Sequence, residues 1–206
     1  MPTPLAHALA GMAIAWSAES IRRTPLGSGA RVPLAVTCGA LAMFPDLDLM
    51  YPPVHRMMTH SAAAVVLAGI SAGFIMRRSS RDAAWAVPIV CGLAYASHLA
   101  LDWIGGDTKL PAGIQLLWPF HDTWFISSWG VFRATDLGGF FTVPVMVSNS
   151  MAVLRELLIL GPIGVGAWFF RRRRLLVARS GRSCARRASR GKRQQEYGRD
   201  AIRRTG

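Results

Sequence analysis

The chain alternates long uncharged stretches with short charged ones. Ala83 to Leu101 runs nineteen residues without a formal charge, and a helix of that length, at about 1.5 Å per residue, crosses a hydrocarbon core of about 30 Å. Ser61 to Met76 gives sixteen uncharged residues before Arg77-Arg78, near the short end of the spanning range, and its Ala, Gly and Ser content suits close helix packing in lipid. Val32 to Pro45 gives fourteen and reaches spanning length when it continues through Asp46 and Asp48 toward Tyr51, which sets two carboxylates at a membrane boundary. Leu5 to Ile21 is interrupted by His7 and Glu19, a pattern that fits a span or an amphipathic helix lying at the surface. The last apolar block, Leu137 to Phe170, is broken only by Arg155 and Glu156 and is too long for one straight span. Met151 to Phe170 reads as the span and Leu137 to Ser150 as an interfacial approach. The pattern predicts an all-α, polytopic membrane protein of about five transmembrane or membrane-embedded helices in residues 1–170, followed by a disordered basic tail, 171–206.

Charge adds the orientation. The 206 residues are 51% hydrophobic with a net charge of +13, and that charge is not evenly spread. Residues 171–206 hold fourteen basic residues against two acidic ones, a net +12, while residues 1–170 hold ten against nine, a net +1. A nearly neutral apolar body with a cationic end is not a uniformly basic nucleic-acid domain, so specific nucleic-acid binding is not expected. Cys38 and Cys91 sit in apolar runs and Cys184 in the tail, which reads as free thiols instead of a disulfide framework. The first basic residues, Arg22 and Arg23, follow the first apolar stretch, the reverse of a cleaved signal peptide. Positive charge is retained on the cytoplasmic side. Arg22, Arg23 and Arg31, then Arg77, Arg78 and Arg81, then Arg171 to Arg174 therefore belong together there, whereas the alternate connections carry only Arg56, Lys109 and Arg133. Five crossings, N-terminus outside and tail inside, satisfy this distribution. They also gather His7, Asp46, Asp48, His55, His60, His98, Asp102, His121 and Asp122 at one outer face.

Singly, each of these residues has an ordinary reading. A lone histidine in an apolar segment is usually a hydrogen-bonded packing residue; Asp46 and Asp48 after a proline are turn residues; Thr59 caps the next helix; and Trp118-Pro119 anchors at the interface. Jointly they carry chemistry. His98 and Asp102 are four apart, so they project from one helix face and converge on a common ion. An uncompensated Asp at bilayer depth costs about 3 kcal/mol, and a divalent cation is a natural partner for it. Imidazole with carboxylate suits Zn, Mn or Fe, and without a cysteine pair a thiolate zinc site is excluded. No Gly-x-Ser-x-Gly elbow and no glycine-rich phosphate loop is present, which removes a serine hydrolase and a nucleotide-driven transporter.

Phe44-Pro45-Asp46-Leu47-Asp48, His55-Arg56, Thr59-His60-Ser61, Ser97-His98 with Leu101-Asp102, and Leu117-Trp118-Pro119-Phe120 resemble the metal-dependent, inner-membrane-associated hydrolases of bacteria, a family also described as LexA-binding. The resemblance covers residues 5 to 125. That family is in turn distantly similar to the zinc-dependent phospholipases C and single-strand nucleases, and His7, Asp46 and His98-x-x-x-Asp102 stand at places matching their metal ligands. Their later His-x-x-x-Glu pair is missing here, with His121 and Asp122 as substitutes. The resemblance implies one or two divalent ions, zinc foremost, held by His7, Asp46, Asp48, His60, His98 and Asp102. It further implies a phosphoester or other ester of a lipid or membrane-proximal molecule as substrate, Arg56 as the fork for phosphoryl oxygens, and His55 or His121 to protonate the leaving group. A second reading is a non-catalytic membrane anchor or scaffold whose basic tail binds anionic lipid, nucleic acid or a cytoplasmic protein.

Overall fold

The structure is a computed structural model and describes residues 1–26, 32–51, 55–76, 85–107, 112–136 and 138–205, with the backbone alone for 76, 179 and 182–205. Arg31, Arg77, Arg78, Arg81 and Lys109 lie outside the described residues.

Pro4 opens α1 (Pro4–Arg22) at a position where a missing N–H costs nothing, and Arg23, left-handed at φ 54, ends it. Helix α2 (Leu34–Met43) passes at Phe44 into a 3-10 helix, Phe44–Met50, that carries Pro45, Asp46 and Asp48. Then follow α3 (Ala62–Met76), α4 (Ala86–Ile104) and α5 (Val143–Thr205). Among the described residues there is no strand beyond two isolated bridges, Gly105–Phe132 and Ile114–Phe125. Helix α4 is the hub: α1, α2 and α3 pack on it, and α1 packs on α2 and α5 as well.

Small residues make these approaches possible. A Cβ on Gly11 of α1 would lie 2.4 Å from the Cys38 carbonyl oxygen of α2, and one on Gly73 of α3 would lie 2.5 Å from Pro88 Cγ of α4. Between α1, α2 and α4 the core is Ala15, Leu34, Cys38, Val87, Cys91 and Ala94. At the other end Phe132, from the loop after α4, is buried with Ala6, Leu101 and Leu160.

Two buried acids tie α5 to α1. Glu156 accepts the Thr3 backbone N–H at 2.7 Å and the Thr3 hydroxyl. It thus serves as the cap that Thr3, at the N-cap of α1, does not itself provide, and its charge meets the positive end of the helix. Glu19 pairs with Arg171 and also accepts the Leu26 N–H at 2.8 Å. Helix α5 therefore runs parallel to α1, with Glu156 beside its start and Arg171 beside its end.

Two sequence expectations change at the level of elements. Among the described residues, two helices are long and apolar enough to cross a membrane, Ala86–Ile104 and Val143–Ala178, with Ala62–Ile75 a shorter apolar helix. Glu19 and Arg22 at the end of α1, and the 3-10 turn that ends α2 after ten residues, keep those two helices out of that class. The second change is in α5, which is one continuous helix through Pro162 to Thr205, in place of an interfacial approach, a separate span and a disordered tail. Arg, Ala, Leu, Lys and Gln are good helix formers, and each added residue extends an existing ladder by one bond.

Candidate metal centre

The start of α1, the 3-10 helix after α2, the loop before α3 and the end of α4 meet at one end of the bundle. One turn into α1, His7 is fully buried. Asp46 comes from the 3-10 helix, His60 from the loop before α3, and His98 and Asp102 from the last turns of α4, one helical turn apart. One ligand atom from each of Asp46, His60, His98 and Asp102 lies within 4.8 Å of all the others. The separations are tighter than that limit. His98 Nε2 is 3.0 Å from His60 Nε2, 3.5 Å from Asp46 Oδ1 and 3.3 Å from Asp102 Oδ2. His60 Nε2 is 3.3 Å from Asp102 Oδ2 and 3.9 Å from Asp46 Oδ1. Ligand atoms on a tetrahedral ion with bonds of about 2.0–2.1 Å stand about 3.3 Å apart, so the spacing of these four fits such an ion.

Hydrogen bonding fixes which atoms face inward. His98 Nδ1 donates to the Ala42 carbonyl at 2.7 Å, and His60 Nδ1 lies 3.2 Å from Asp48 Oδ2. With both Nδ1 atoms so engaged, two Nε2 lone pairs confront each other beside two carboxylates, an arrangement that needs positive charge between them. Asp46 Oδ1 and both Asp102 oxygens are buried without a hydrogen-bond partner, as are both His7 ring nitrogens. Uncompensated buried carboxylates are costly, and the charge of the two matches one divalent cation. A proton on His60 answers the same demand: burial lowers its pKa, but Asp102 and Asp48 on either side overcome that and push it up to about 9.

His7 offers a second half-site. Its Nε2 is 3.5 Å from Asp102 Oδ1 and 3.9 Å from Asp46 Oδ2, the outer oxygens of the same two aspartates, and its ring stacks on His98 at 3.8 Å between centroids.

Asp48, expected among the ligands, stands behind His60. It receives the Arg56 N–H at 3.1 Å and bonds with His55 Nδ1 and the Thr59 hydroxyl. Burial raises its pKa, and the bonds from His55, His60 and Thr59 outweigh burial and hold it below the usual carboxylate range. His55 has both nitrogens engaged, Nδ1 with Asp48 and Nε2 accepting from Arg56 Nε at 3.3 Å. The Arg56 guanidinium pairs with Asp107, a residue that no spacing or motif singles out. Arg56 also adopts a left-handed φ of 67, a strained conformation for a residue with a Cβ. In it the N–H reaches Asp48 while the carbonyl accepts from Gln115 N–H at 3.0 Å. Ser61, not Thr59, caps α3, its hydroxyl accepting the Ala64 N–H at 3.2 Å. His121 and Asp122 are exposed on the loop after α4 and stand apart from the four converging residues. Beside Asp102, between it and the Arg56–Asp107 pair, lies a pocket of about 10 Å³, the room of roughly one water.

The sequence pattern of the YdjM inner membrane protein family matches residues 1–175, which take in every residue of the cluster. The chain belongs to this family. It is similar to the inner membrane protein YbcI of Escherichia coli (strain K12), 29% identical over 190 residues that cover 84% of this chain and 100% of that protein. No solved structure matches the chain. Membership of the family places the chain in the inner membrane, so the His/Asp cluster is a buried polar centre at one end of a membrane-protein helix bundle.

Proposed function

We propose that this YdjM-family chain is a metal-dependent hydrolase that cleaves a phosphoester or other ester of a lipid or membrane-proximal substrate. The observation that carries the reading is the convergence of Asp46, His60, His98 and Asp102 within 4.8 Å, with carboxylate oxygens buried and unpartnered. These four would hold one divalent ion, zinc foremost with Mn or Fe as alternatives, and His7 with the outer aspartate oxygens would hold a second. When bound, such an ion lowers the pKa of water from 15.7 toward about 7 and polarises a phosphoryl oxygen.

The chain's own residues do the rest. Asp48 holds His60 by Nδ1, keeping Nε2 inward, and His55 braces Asp48 from the far side. The small pocket beside Asp102 has room for about one water next to the Arg56–Asp107 pair, and the guanidinium, held by Asp107 and His55, would have to exchange Asp107 for substrate to offer its planar fork to a phosphoryl group. Protonation of the leaving group would fall to His55 or His121, the first held by Asp48 and Arg56 and the second on the exposed loop. Arg22 and Arg23 lie at the end of α1 away from the cluster, and Arg171 pairs beside them with Glu19. The positive-inside rule then puts the cluster on the outer face and the α5 end in the cytoplasm.

Metal analysis of the detergent-purified protein tests this reading. At least one equivalent of Zn, Mn or Fe is expected in the wild type and none in the His98→Ala, Asp102→Ala double variant. Metal retained unchanged by that variant, or phosphodiester hydrolysis indifferent to chelator, overturns it.

A further inference from the structure

At the end of the bundle away from the His/Asp cluster, the fold brings the Arg22-Arg23 end of α1 beside the start of the arginine run in α5. The joint is Glu19, which is buried and pairs with Arg171, 152 residues later in the chain, so that these two charges cancel. Around the joint stand five exposed arginines, Arg22, Arg23, Arg172, Arg173 and Arg174. Glu19 is the one acid in α1, and α5 has none between Glu156 and Glu196, so neither helix carries a second acid at this end.

Aromatic rings set the depth of this charge. The Arg172 guanidinium lies over the Trp168 ring at 5.5 Å and that of Arg173 over the Phe169 ring at 5.8 Å. Each is folded back one turn toward the helix start, the direction that helical side chains take, and is held by cation–π attraction. Trp168, Phe169 and Phe170 are exposed at the point where the apolar part of α5 gives way to arginine. In an inner-membrane protein, aromatic rings at such a boundary sit at headgroup level. The two guanidiniums are thereby kept at the depth of the lipid phosphates, and a guanidinium stacked by its face still directs its edge N–H groups at an acceptor.

We propose that the end of α1 and the Trp168–Arg174 segment of α5 form a binding site for the headgroup of an anionic glycerophospholipid, its phosphodiester held by the guanidinium forks of Arg23, Arg172 and Arg173. Charge selects the headgroup. A zwitterionic lipid brings the same phosphodiester with an ammonium that five arginines repel, whereas an anionic lipid brings the phosphodiester alone. Position selects the lipid over a soluble anion or a nucleic acid, because the stacked guanidiniums adjoin rings that face hydrocarbon, and only a lipid offers a phosphate with an apolar chain beneath it. A topology signal needs only charge, which lysine supplies equally; a phosphate site uses the planar, bidentate fork of arginine. The assignment stands independently of the hydrolase reading and of which side of the membrane this end occupies.

The full-length protein in nanodiscs of mixed phosphatidylethanolamine and phosphatidylglycerol, with retained lipid identified by native mass spectrometry, tests the assignment. The wild type should retain phosphatidylglycerol in excess of its share of the bilayer. Arg23→Gln and Arg172→Gln should each lower that preference about fivefold, the effect of one basic side chain at a membrane surface. The charge-conserving triple variant Arg23→Lys, Arg172→Lys, Arg173→Lys should lower it as well, and Arg186→Lys with Arg187→Lys, farther along α5, should leave it unchanged. Wild-type protein that retains the two lipids in their bilayer ratio overturns the site, and this result needs no variant to fold. A triple lysine variant as selective as the wild type would reduce the arginines to bare charge and overturn it too; an unchanged thermal midpoint in phosphatidylethanolamine alone shows that this variant is folded. Equal loss in the Arg186, Arg187 variant would spread the binding along α5, and displacement of the lipid by inorganic phosphate in detergent would make the ligand a soluble anion; either result overturns the proposal.

Discussion

Asp48 and Asp46 are two residues apart on one short helix, yet they do different work. In a 3-10 helix, at about 3.0 residues per turn, positions i and i+2 point about 240° apart, so Asp46 faces the cluster while Asp48 faces His55, Thr59 and the back of His60. The spacing itself held that signal, since i and i+2 do not share a helix face. His98 and Asp102 were legible for the opposite reason, being i and i+4. Nothing in the sequence marks Asp107, because its partner Arg56 lies 51 residues earlier, on the far side of α3 and α4 in the chain. Asp48→Asn should leave the fold intact and weaken metal binding by about 10–100-fold, the usual cost of losing a histidine's outer partner. Competition with a chelator of known affinity measures this, and unchanged affinity would deny Asp48 its orienting role.

At the scale of elements, the site depends on how α1 is held. His7 lies one turn inside α1, whose first N–H groups are met by Glu156 from α5. Read along the sequence, Arg155-Glu156 is merely a break in an apolar block; in three dimensions Glu156 is fully buried and is the acceptor for the α1 terminus. Glu156→Ala strands the Thr3 donors and should cost about 1–3 kcal/mol, seen as a lower Tm in detergent. If His7 is a ligand, the same variant should also lower metal occupancy, whereas loss of stability with full occupancy would separate the brace from the metal. Helix positions were legible to within a few residues because uncharged runs and charged breaks are local. The continuity of α5 was not, since a proline such as Pro162 inside a long apolar run reads equally as a kink, a break or a tolerated interruption.

For the whole molecule, the clustered charges become a polarity. Arg22 and Arg23 cap one end of the bundle, Arg171 reaches Glu19 at that same end, and the His/Asp cluster occupies the other. In a Cys184→Ser background, a cysteine at the exposed Phe120 should react with a membrane-impermeant maleimide added outside intact spheroplasts, and one at Arg173 only after lysis. The reverse pattern would place the cluster in the cytoplasm. Removing metal with a chelator should lower the thermal midpoint, because two buried carboxylates then lack their counter-charge. An unchanged midpoint would mean that no metal binds there.

The sequence by itself determined the helical, membrane-bound class, the split of a nearly neutral body from a cationic end, and the gathering of histidines and aspartates toward one face. These follow from local composition, from the 3.6-residue period and from the bilayer's exclusion of charge. Only the tertiary structure decided which of those residues converge. His7, Asp46 and His60 reach His98 and Asp102 through the close packing of α1, α2 and α3 on α4, and ligand distances are set by glycine contacts and buried caps far apart in the chain.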